Sequence, residues 1–553
     1  MAALYTLVAL LVVLVSSVSS KHMLIGYFPN WLYANYPVEQ IPYTEYTHIN
    51  YAFSMLNDES NLPSFPDDWA VEAYLPKIVD LAHQAGTKIL LSIGGWTGSQ
   101  RFSPMVASAD ARKAFIDWNL NFIETYQTDG VDLDWEYPGR QGAGCNEVAP
   151  NDAENFLLLL QELRQALDQR FPDNHKEVSM AVHVDPFTGP DGTPMKDVSG
   201  FASVVDHINL MTYDINGAWA EETGPNAPFQ YEDGKGASYS FVESIRKWKE
   251  AGIPGEKLTA GLAFYGRSMQ AQVDMTENPL SQYQAAKVGA PKGDADDAYW
   301  SNPYCAADID GTSGVWKWRN LRSEGVILDD LKSPGEGWQR YWDDVSKTPW
   351  LFNAQNNIYI SYDDPQSIQI KVDHALCEDI AGVMVWDLHQ DNGELLRVAN
   401  TIHNDAAPEN CPSEANTVIH AFPQEQQSSA QVVASSSVAS MSQQSPAVVV
   451  PIPKASSSAS QVAAQNSRTF AATSGLAMPT AAASSNPAVA ASSPSLVVAQ
   501  EDCPVIGEQR CISSGQSAHW LTCSFNKWVQ RSCSSGSVCH DDQGFLFCGF
   551  PKV

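Results

Sequence analysis

Three carboxylates occupy alternate positions in the stretch 129–138, and hydrophobic residues fill the positions between them. As a β-strand, this stretch places Asp132, Asp134 and Glu136 in a row on one face. Neighbours in such a row are about 7 Å apart, so three carboxylates in a partly dry site cannot all ionise at low cost and must share protons. The pattern therefore indicates a site that keeps one carboxylic acid protonated near neutral pH.

A protonated carboxylic acid is what hydrolysis of a glycosidic bond needs, because the leaving oxygen must receive a proton. Most such enzymes place a second carboxylate across the sugar. A single row on one strand cannot flank the bond, so the second function must come from elsewhere. A metal site or a solvated edge strand is the alternative interpretation, although Mg²⁺ and Ca²⁺ sites seldom carry a Trp between their acids. Asp129 stands at odd spacing, so we expect it to face differently or to precede the strand.

Eight apolar stretches, most of them separated by helical segments such as 153–171, are predicted to be the strands that position this row. Alternation of this kind favours a parallel sheet, and eight strands close into a (β/α)8 TIM barrel of the α/β class. Catalytic residues of such barrels lie at the carboxyl ends of the strands, and Glu136 lies near the end of the fourth. The predicted strands are 24–28, 47–54, 88–95, 130–137, 177–185, 207–215, 257–266 and 381–388.

The segment 268–357 separates the seventh and eighth predicted strands by far more than a simple crossover needs. It is rich in aromatic residues, Gly and Asp, and it shows no long helical pattern. About ninety residues without structure would be unusual inside a compact domain. We therefore expect an inserted α+β subdomain here, with a long irregular loop as the alternative.

The overall charge limits the classes of partner. The chain of 553 residues has 64 acidic and 33 basic residues, which gives a formal net charge of −31. Nucleic acid and anionic membrane surfaces are not expected as partners, because the summed field would repel them, whereas a neutral polysaccharide meets no such barrier. We expect a monomer that needs no cofactor and no metal.

Both flanks of the main body differ from it in composition. Residues 1–20 combine an apolar core with small residues suited to a cleavage site, which predicts a signal peptide and a secreted, extracellular product unless the cell wall retains it. Residues 412–501 are rich in Ser, Ala, Val, Gln and Pro, which predicts a disordered linker. The catalytic barrel is then expected at 21–411.

The ten cysteines suit an oxidising compartment. Six of them fall within 502–553, which indicates a small module held by three disulfides. The other four could form two disulfides by any of three pairings, and they are Cys145, Cys305, Cys377 and Cys411.

The motif Asp-x-x-Asp-x-Asp-x-Glu at 129–136, followed by Tyr-Pro, resembles the signature of family 18 glycoside hydrolases, the chitinase family, at every motif position. The segment 268–357 is similar to the insertion that walls the substrate cleft in one branch of that family. The resemblance implies that the 2-acetamido carbonyl of the sugar attacks its own anomeric carbon. This substrate assistance would supply the missing second group and give net retention.

The same resemblance assigns roles to four residues. Glu136 would be the general acid and then the base that activates water. Asp134 would orient the acetamido group and stabilise the charge of the intermediate. Asp132 would share a proton with Asp134, and Tyr213 would donate a hydrogen bond to the acetamido oxygen.

Ten further residues lie at predicted strand ends in the order that the family shows. Taken singly, each would be expected to fill a packing layer of the barrel. Their joint occurrence favours contacts with the substrate instead. These residues are Tyr27, Phe53, Gly95, Trp96, Tyr137, Met211, Asp214, Tyr265, Arg267 and Trp386.

The tail segment 523–529 looks like the fungal family 19 carbohydrate-binding module, which is a chitin-binding type. Trp520 and Trp528 are the candidate rings for stacking on sugar faces. The alternative is a disulfide-linked module whose aromatic rings only fill its own core.

These observations imply a secreted chitinase that hydrolyses the β-1,4 linkages between N-acetylglucosamine units of chitin or its oligomers. One alternative is an endo-β-N-acetylglucosaminidase acting on glycoprotein glycans, which uses the same catalytic row. The other is a non-catalytic chitin-binding lectin. Lectins of the family characteristically lack the terminal acid of the row, and Glu136 is present here.

Overall fold

The computed structural model describes residues 22–33, 35–308, 310–404, 408 and 411, and in the tail residues 509–513, 517, 519–524, 527–532, 538–542 and 545–549. The chain divides into two compact units, Met1–Ser428 and Ser429–Val553. The predicted signal peptide and the predicted linker lie outside the described residues.

A closed barrel of eight parallel strands forms the first unit. In chain order the strands of this unit are β1 (Met23–Pro29), β2 (His48–Leu56), β3 (Pro63–Ser64), β4 (Lys88–Gly94), β5 (Gly130–Asp134), β6 (Glu177–Val182), β7 (His207–Leu210), β8 (Leu258–Ala263), β9 (Tyr265–Ala271), β10 (Ala286–Lys287), β11 (Val315–Lys317), β12 (Gln339–Asp343), β13 (Thr348–Asn353), β14 (Ile358–Ser361) and β15 (Gly382–Trp386). The barrel order is β1-β15-β8-β7-β6-β5-β4-β2, and pairing of β1 with β2 closes it. The predicted (β/α)8 barrel of the α/β class is confirmed.

Helices surround the barrel, and the main apolar core fills the layer between helices and strands. Several helices begin at side-chain caps, such as Asp67, which accepts from the Ala70 N–H, and Ser108, which accepts from the Ala111 N–H. The helices are α1 (Asp68–Ala85), α2 (Gly95–Gly98), α3 (Phe102–Ala107), α4 (Ala109–Tyr126), α5 (Asp152–Arg170), α6 (Ser199–Ala202), α7 (Phe241–Glu250), α8 (Trp318–Ser323), α9 (Pro365–Cys377) and α10 (Glu394–Ala399). Within the described residues, no helix is both long and apolar enough to cross a bilayer.

Several predicted strands are longer than the observed ones at the barrel mouth. The strand predicted at 130–137 ends at Asp134, so Glu136 lies in the loop that follows β5. The reason is that the Glu136 N–H donates to the Ser99 hydroxyl at 2.9 Å instead of pairing with a neighbouring strand. The strands β6 and β7 also end early, which leaves their last predicted residues in loops around the mouth.

The insertion between β8 and β15 is built on an antiparallel sheet in the order β10-β9-β14-β13-β12, with β11 added against β9. The sheet begins at Tyr265, directly after β8, and ends at Ser361, where the chain returns to the barrel through α9. The inserted α+β subdomain that the sequence predicts is therefore present, with α8 as its short helix.

Two disulfides join distant parts of the first unit, Cys145 to Cys305 and Cys377 to Cys411. They select one of the three pairings that the sequence left open. The first bond ties the loop after Glu136 to the inserted subdomain.

The second unit contains five short strands, β16 (Gln509–Cys511), β17 (His519–Ser524), β18 (Lys527–Ser532), β19 (Val538–Asp542) and β20 (Phe545–Gly549). The first three form one antiparallel sheet and the last two form another. Trp520 lies on β17 and Trp528 on β18, but their side chains lie outside the described residues. Chitin binding by this unit stays a prediction.

Candidate active site

The row of acids runs from the barrel interior to the barrel mouth. Asp132 and Asp134 lie on β5, and Asp134 pairs with the last residue of β4. Asp132 is fully buried, Asp134 is 4% exposed, and Glu136 is partly exposed just beyond the strand. The carboxyl group nearest to solvent is therefore that of Glu136.

Four donors hold the innermost carboxylate, that of Asp132. Oδ2 accepts from the hydroxyls of Tyr27 at 2.9 Å and Ser92 at 2.7 Å. Oδ1 accepts from the Ser179 hydroxyl at 2.6 Å and from Asn209 Nδ2 at 3.3 Å. Burial raises the pKa of Asp132, and these hydrogen bonds oppose the rise. None of the four bonds goes to Asp134, so the described hydrogen bonds do not include the proton shared by Asp132 and Asp134 that the sequence predicts.

Asp134 lies between the other two acids of the row. Burial raises its pKa well above the ordinary value, and the charges of Glu136 and Asp132 raise it further. Its Oδ1 is buried and has no hydrogen-bond partner among the described residues. A buried carboxylate oxygen without a hydrogen bond has lost its contacts with water and gained no donor in exchange. The N–H of a substrate amide can supply that donor.

Glu136 keeps its proton near neutral pH. Burial raises its pKa to about 7, the charge of Asp214 adds to the rise, and a hydrogen bond with Tyr137 opposes it. An ordinary Glu has a pKa of about 4.3, so at pH 6 most of it would be ionised. Glu136 is the group in the row that combines access to solvent with a pKa suited to giving and taking a proton.

The backbone of Glu136 is fixed from two loops. Its N–H donates to the Ser99 hydroxyl at 2.9 Å, and its carbonyl accepts from Asn146 Nδ2 at 2.6 Å. The hydroxyl proton of Ser99 is directed to the Gly95 carbonyl at 2.8 Å, which leaves the oxygen free to accept. These contacts set the position from which the Glu136 side chain reaches the mouth.

A second charged group lies at the mouth beyond β7, which β6 separates from β5. Asp214 follows β7 with a φ of 56° and accepts from Tyr265 Oη at 2.6 Å. Arg267 binds the same carboxylate with Nε at 2.6 Å and Nη2 at 2.7 Å, which is the bidentate geometry of a strong pair. The pair fixes the orientation of Asp214, whose charge acts on Glu136.

Aromatic rings at the ends of β1, β2 and β15 form a floor at the barrel mouth. Trp386, at the end of β15, stacks on Phe53 with centroids 5.7 Å apart, and it lies 5.7 Å from the Tyr27 ring. Trp31 extends the surface next to Phe53 at 6.3 Å. Gly95 permits this packing, because a Cβ there would lie 2.8 Å from the Phe53 ring. The floor is apolar and open to solvent at Trp31, which suits contact with the face of a sugar ring.

The structure brings most of the predicted site residues together. One apolar cluster contains Tyr27, Phe53, Met211, Tyr213, Tyr265 and Trp386. Trp96 lies on α2 and is 44% exposed, and the Tyr137 ring follows Glu136 and contacts His183 at 5.1 Å. The buried Tyr213 has its hydroxyl 3.5 Å from Met384 Sδ. Asp129 precedes β5, where it accepts from the Ile89 N–H, so it lies apart from the row.

Several residues of the site were missed in the sequence. Some contact Asp132 from neighbouring strands, some hold the backbone of Glu136 from loops, and two are exposed rings near the mouth. The residues that contact Asp132 could have been found from the inward-facing positions of the strands. Ser92 and Ser179 lie in register with Asp132, and Asn209 lies two residues before the predicted contact Met211. The missed residues are Ser92, Ser179, Asn209, Ser99, Asn146, Trp31 and Trp219.

No group of His, Cys, Asp and Glu side chains suited to a metal ion occurs in the part of the chain that the structure describes. The described side chains at the mouth offer proton transfer by Glu136, electrostatic stabilisation by Asp134, and stacking on aromatic rings.

Comparison with known proteins agrees with this geometry. Residues 23–391 match the family described as Glycosyl hydrolases family 18. A chitinase-like effector of Moniliophthora roreri is 33% identical over 381 residues, which is 67% of this chain and 90% of that protein. Chitinase A1 of Niallia circulans is 29% identical over 434 residues, which is 68% of this chain and 58% of that protein.

Solved structures show the same similarity. The crystal structure of a chitinase from Rhizomucor miehei is 32% identical with a TM-score of 0.62, covering 69% of this chain and 99% of that one. The Group IV chitinase of Ostrinia furnacalis in complex with allosamidin is 27% identical with a TM-score of 0.58, again covering 69% and 99%. The chain therefore belongs to glycosyl hydrolases family 18, as a glycoside hydrolase of the chitinase type.

Proposed function

We propose that this protein is a secreted chitinase that hydrolyses β-1,4 linkages between N-acetylglucosamine units by substrate-assisted, retaining catalysis. The observation that carries the proposal is the position of Glu136. It is the outermost carboxyl group of a buried acidic row, its pKa is raised to about 7, and it stands at the edge of an aromatic floor.

In the first step, the sugar before the scissile bond lies on Trp386 with its 2-acetamido group turned toward Asp134. Glu136 gives its proton to the glycosidic oxygen, and the bond from that oxygen to the anomeric carbon breaks. The acetamido carbonyl oxygen forms a new bond to the same carbon from the opposite face, which yields a cyclic oxazolinium ion. The leaving sugar departs as a neutral alcohol.

In the second step, Glu136 is a carboxylate and takes a proton from a water molecule. The water oxygen bonds to the anomeric carbon, and the bond to the acetamido oxygen breaks. Two inversions at one carbon give net retention. Glu136 ends the cycle protonated, as it began.

The surrounding residues support this cycle electrostatically. Asp134 accepts the acetamido N–H with the buried oxygen that has no other described partner; as the cation forms, the proton of Asp134 passes to Asp132, and the Asp134 carboxylate then stabilises the cation. The charge of Asp132, which four donors hold in position, raises the pKa of Asp134 in the free site. Tyr213 keeps a protonated hydroxyl, because burial raises its pKa well above the ordinary value, and can donate to the acetamido oxygen.

The substitution Glu136→Gln tests the proposal. Removing a general acid costs about 10²- to 10⁴-fold in rate, so we expect release of reducing ends from chitin oligomers to fall by at least the lower figure, with binding of the oligomer retained. Glu250→Gln, an exposed position at the end of α7, is the matched control and should leave the rate unchanged. Unchanged turnover in Glu136→Gln would refute the role of Glu136.

Two other functions remain as outcomes of the same assays. Wild-type protein that binds chitin oligomers but releases no reducing ends would be a non-catalytic chitin binder. Two relatives are named chitinase-like effectors, so binding and hydrolysis are to be measured side by side. Release of an oligosaccharide from a glycoprotein, without action on chitin, would identify an endo-β-N-acetylglucosaminidase.

Secretion and the role of the tail belong to the proposal as well. The apolar segment 1–20 supports export, and the spread of disulfide-bonded cysteines through the first unit suits an oxidising compartment. The strands and cysteines of the second unit support a small chitin-binding module with Trp520 and Trp528 as contact rings. We expect a monomer whose partner is chitin or its oligomers.

A further inference from the structure

His183 follows directly after β6 and contacts the residue that comes after Glu136 in the chain. Its ring centroid lies 5.1 Å from that of Tyr137, with the two planes 78° apart. Arg140, in the loop after β5, places its guanidinium carbon 5.5 Å from the centroid of the same Tyr137 ring. An imidazole and a guanidinium therefore both contact Tyr137 next to the candidate general acid.

The hydrogen bonds of His183 fix the form of its imidazole. Arg140 Nη1 and the Asp185 N–H both donate to Nδ1, each at 3.0 Å. A guanidinium and a backbone N–H can only donate, so Nδ1 carries no proton and the ring proton lies on Nε2. Burial and the charge of Arg140 lower the pKa of His183 to about 3, against the opposing charge of Asp185. His183 is therefore neutral in the pH range in which Glu136 titrates.

A second set of contacts holds His183 in place. The Tyr239 ring lies 5.5 Å from the imidazole, with the planes 85° apart. Lys247 of α7 binds the Asp185 carboxylate at 2.7 Å and lies 5.3 Å from the Tyr239 centroid. Trp248 Nε1 donates to the His183 carbonyl at 3.0 Å. These contacts make Nδ1 of His183 an acceptor with a fixed position.

The guanidinium of Arg140 depends on that acceptor. Among the residues that the structure describes, no carboxylate forms an ion pair with Arg140, and its side chain is held by the bond to His183 and the contact with Tyr137. Guanidinium groups stack well on aromatic rings, but one stacking contact does not fix a long and flexible side chain. Removing the acceptor should therefore release Arg140 from the Tyr137 ring.

The position of Tyr137 bears on the chemistry because its side chain forms a hydrogen bond with Glu136. Burial and the charges of Glu136 and Asp134 raise the pKa of Tyr137 well above its ordinary value, so the hydroxyl keeps its proton and donates. A donor to the carboxylate favours its ionised form and lowers the pKa of Glu136. The other ionisable groups that act on Glu136 or on its neighbours in the row are Asp134 on β5 and Tyr213 and Asp214 after β7.

We propose that His183 is a positioning residue: by holding Arg140 against the Tyr137 ring, it keeps the Tyr137 hydroxyl within hydrogen-bond reach of the Glu136 carboxyl group. The inference rests on the proposed function, because Glu136 is the group that gives and takes the proton there. His183 acts as a fixed acceptor and not as an acid or a base, since its imidazole stays neutral.

The experiment measures the alkaline limb of the pH dependence of kcat/KM in two variants of His183. His183→Phe keeps a planar ring but removes the acceptor, and it changes no charge because the imidazole is neutral. His183→Asn removes the ring but keeps an acceptor, since its amide oxygen can replace Nδ1. Loss of a hydrogen bond to the carboxylate raises the pKa of Glu136, so we expect the limb to move to higher pH by up to about one unit in His183→Phe and to stay in place in His183→Asn.

Tyr137→Phe removes the hydroxyl itself and should give the full shift, and Tyr137→Phe/His183→Phe should shift the limb no further. His175→Phe is the matched control, because His175 is exposed and stands before β6, at the opposite end of the same strand. It should leave the limb in place. A thermal melt verifies folding, and His183→Leu replaces His183→Phe if the latter does not fold.

A lower melting temperature or a lower kcat in His183→Phe, with the alkaline limb unmoved, would assign a structural role only and overturn the inference. A further shift in the double variant would overturn it as well, because His183 would then act independently of the Tyr137 hydroxyl. A limb that moves equally in His183→Phe and His183→Asn would refute the role of the acceptor.

The pKa of Glu136 can also be measured without turnover, from the ¹³C chemical shift of its carboxyl carbon, with Glu136→Gln providing the assignment. If the wild type releases no reducing ends, but this pKa rises in His183→Phe and not in His183→Asn, the proposed catalysis fails and the positioning role stands. An unchanged pKa in His183→Phe overturns the positioning role whatever the activity.

Discussion

The surroundings of Glu136 raise its pKa, and the direction in which activity depends on pH follows from that rise. A general acid works in its protonated form, and the pKa of Glu136 is raised to about 7 by burial and by the charge of Asp214. Activity should therefore be present below about pH 7 and fall as the pH rises through that value. The pH dependence of kcat/KM reports this group in the free enzyme.

The substitution Asp214→Asn should move the alkaline limb of the kcat/KM profile to lower pH. It removes the negative charge that raises the pKa of Glu136, and it leaves the positive charge of Arg267 unpaired, which acts in the same direction. We expect a shift of up to about one pH unit. Asp329→Asn, at a fully exposed carboxylate of the inserted subdomain, is the control and should cause no shift. An alkaline limb that stays in place in Asp214→Asn would contradict the assigned electrostatics.

At the scale of elements, the junction from β14 to α9 carries the chain from the inserted subdomain back into the barrel. Asp364 caps α9 with a capping box that includes Ser367. The preceding Asp363 pairs with Lys371 of the same helix at 2.7 and 2.8 Å, and both side chains are almost completely buried. A buried ion pair of this kind has little net effect on stability while both partners are present. Removing one partner is strongly destabilising, because the other charge is left buried and unpaired.

Lys371→Met should therefore lower the free energy of unfolding by about 3–5 kcal/mol, because it leaves the Asp363 carboxylate buried without its partner. Chemical denaturation monitored by circular dichroism measures the change. The double variant Asp363→Asn/Lys371→Met removes both charges and should recover much of the loss. A double variant less stable than Lys371→Met would show that the loss of stability comes from losing the ion pair itself, and not from the unpaired Asp363 charge.

The strands of the barrel could be predicted because both faces of a parallel sheet are covered, so each strand is a nearly continuous apolar run. The placement of Asp132 and Asp134 on one face of β5 could also be predicted, since alternation alone gives it. Ser99 and Asn146 could not, because they act on the backbone of Glu136 from separate loops and form no local pattern. Pairing of Cys145 with Cys305, at a sequence separation of 160, likewise depends on the folded chain.

At the scale of the whole molecule, the first unit is proposed to cut the polymer and the second to hold it. Two binding sites on one chain raise the overall affinity for a surface when both can bind it at the same time. The net charge of −31 does not oppose this, because chitin carries no strong charge of its own. Assays with insoluble chitin and with soluble oligomers should therefore distinguish binding by the tail from catalysis by the first unit.

Removal of residues 502–553 should reduce binding to insoluble chitin on the order of tenfold or more, because avidity is lost. Hydrolysis of soluble oligomers should be unchanged, since the catalytic row lies in the first unit. Sedimentation with chitin powder and a reducing-end assay measure the two quantities. Trp520→Ala/Trp528→Ala in the full chain is the finer control, and equal sedimentation of all three proteins would remove the assigned role of the tail.

The pairing of β1 with β15 has a consequence for biosynthesis. Met23 is synthesised before its partner Gly382, which follows only after some 360 further residues, and at 5–20 residues per second the delay is on the order of half a minute. During that interval β1 has an edge without its β15 partner, and such an edge can pair with other chains. A circular permutant that encodes the last strand directly before the first would shorten the wait and should yield less aggregated protein during rapid expression.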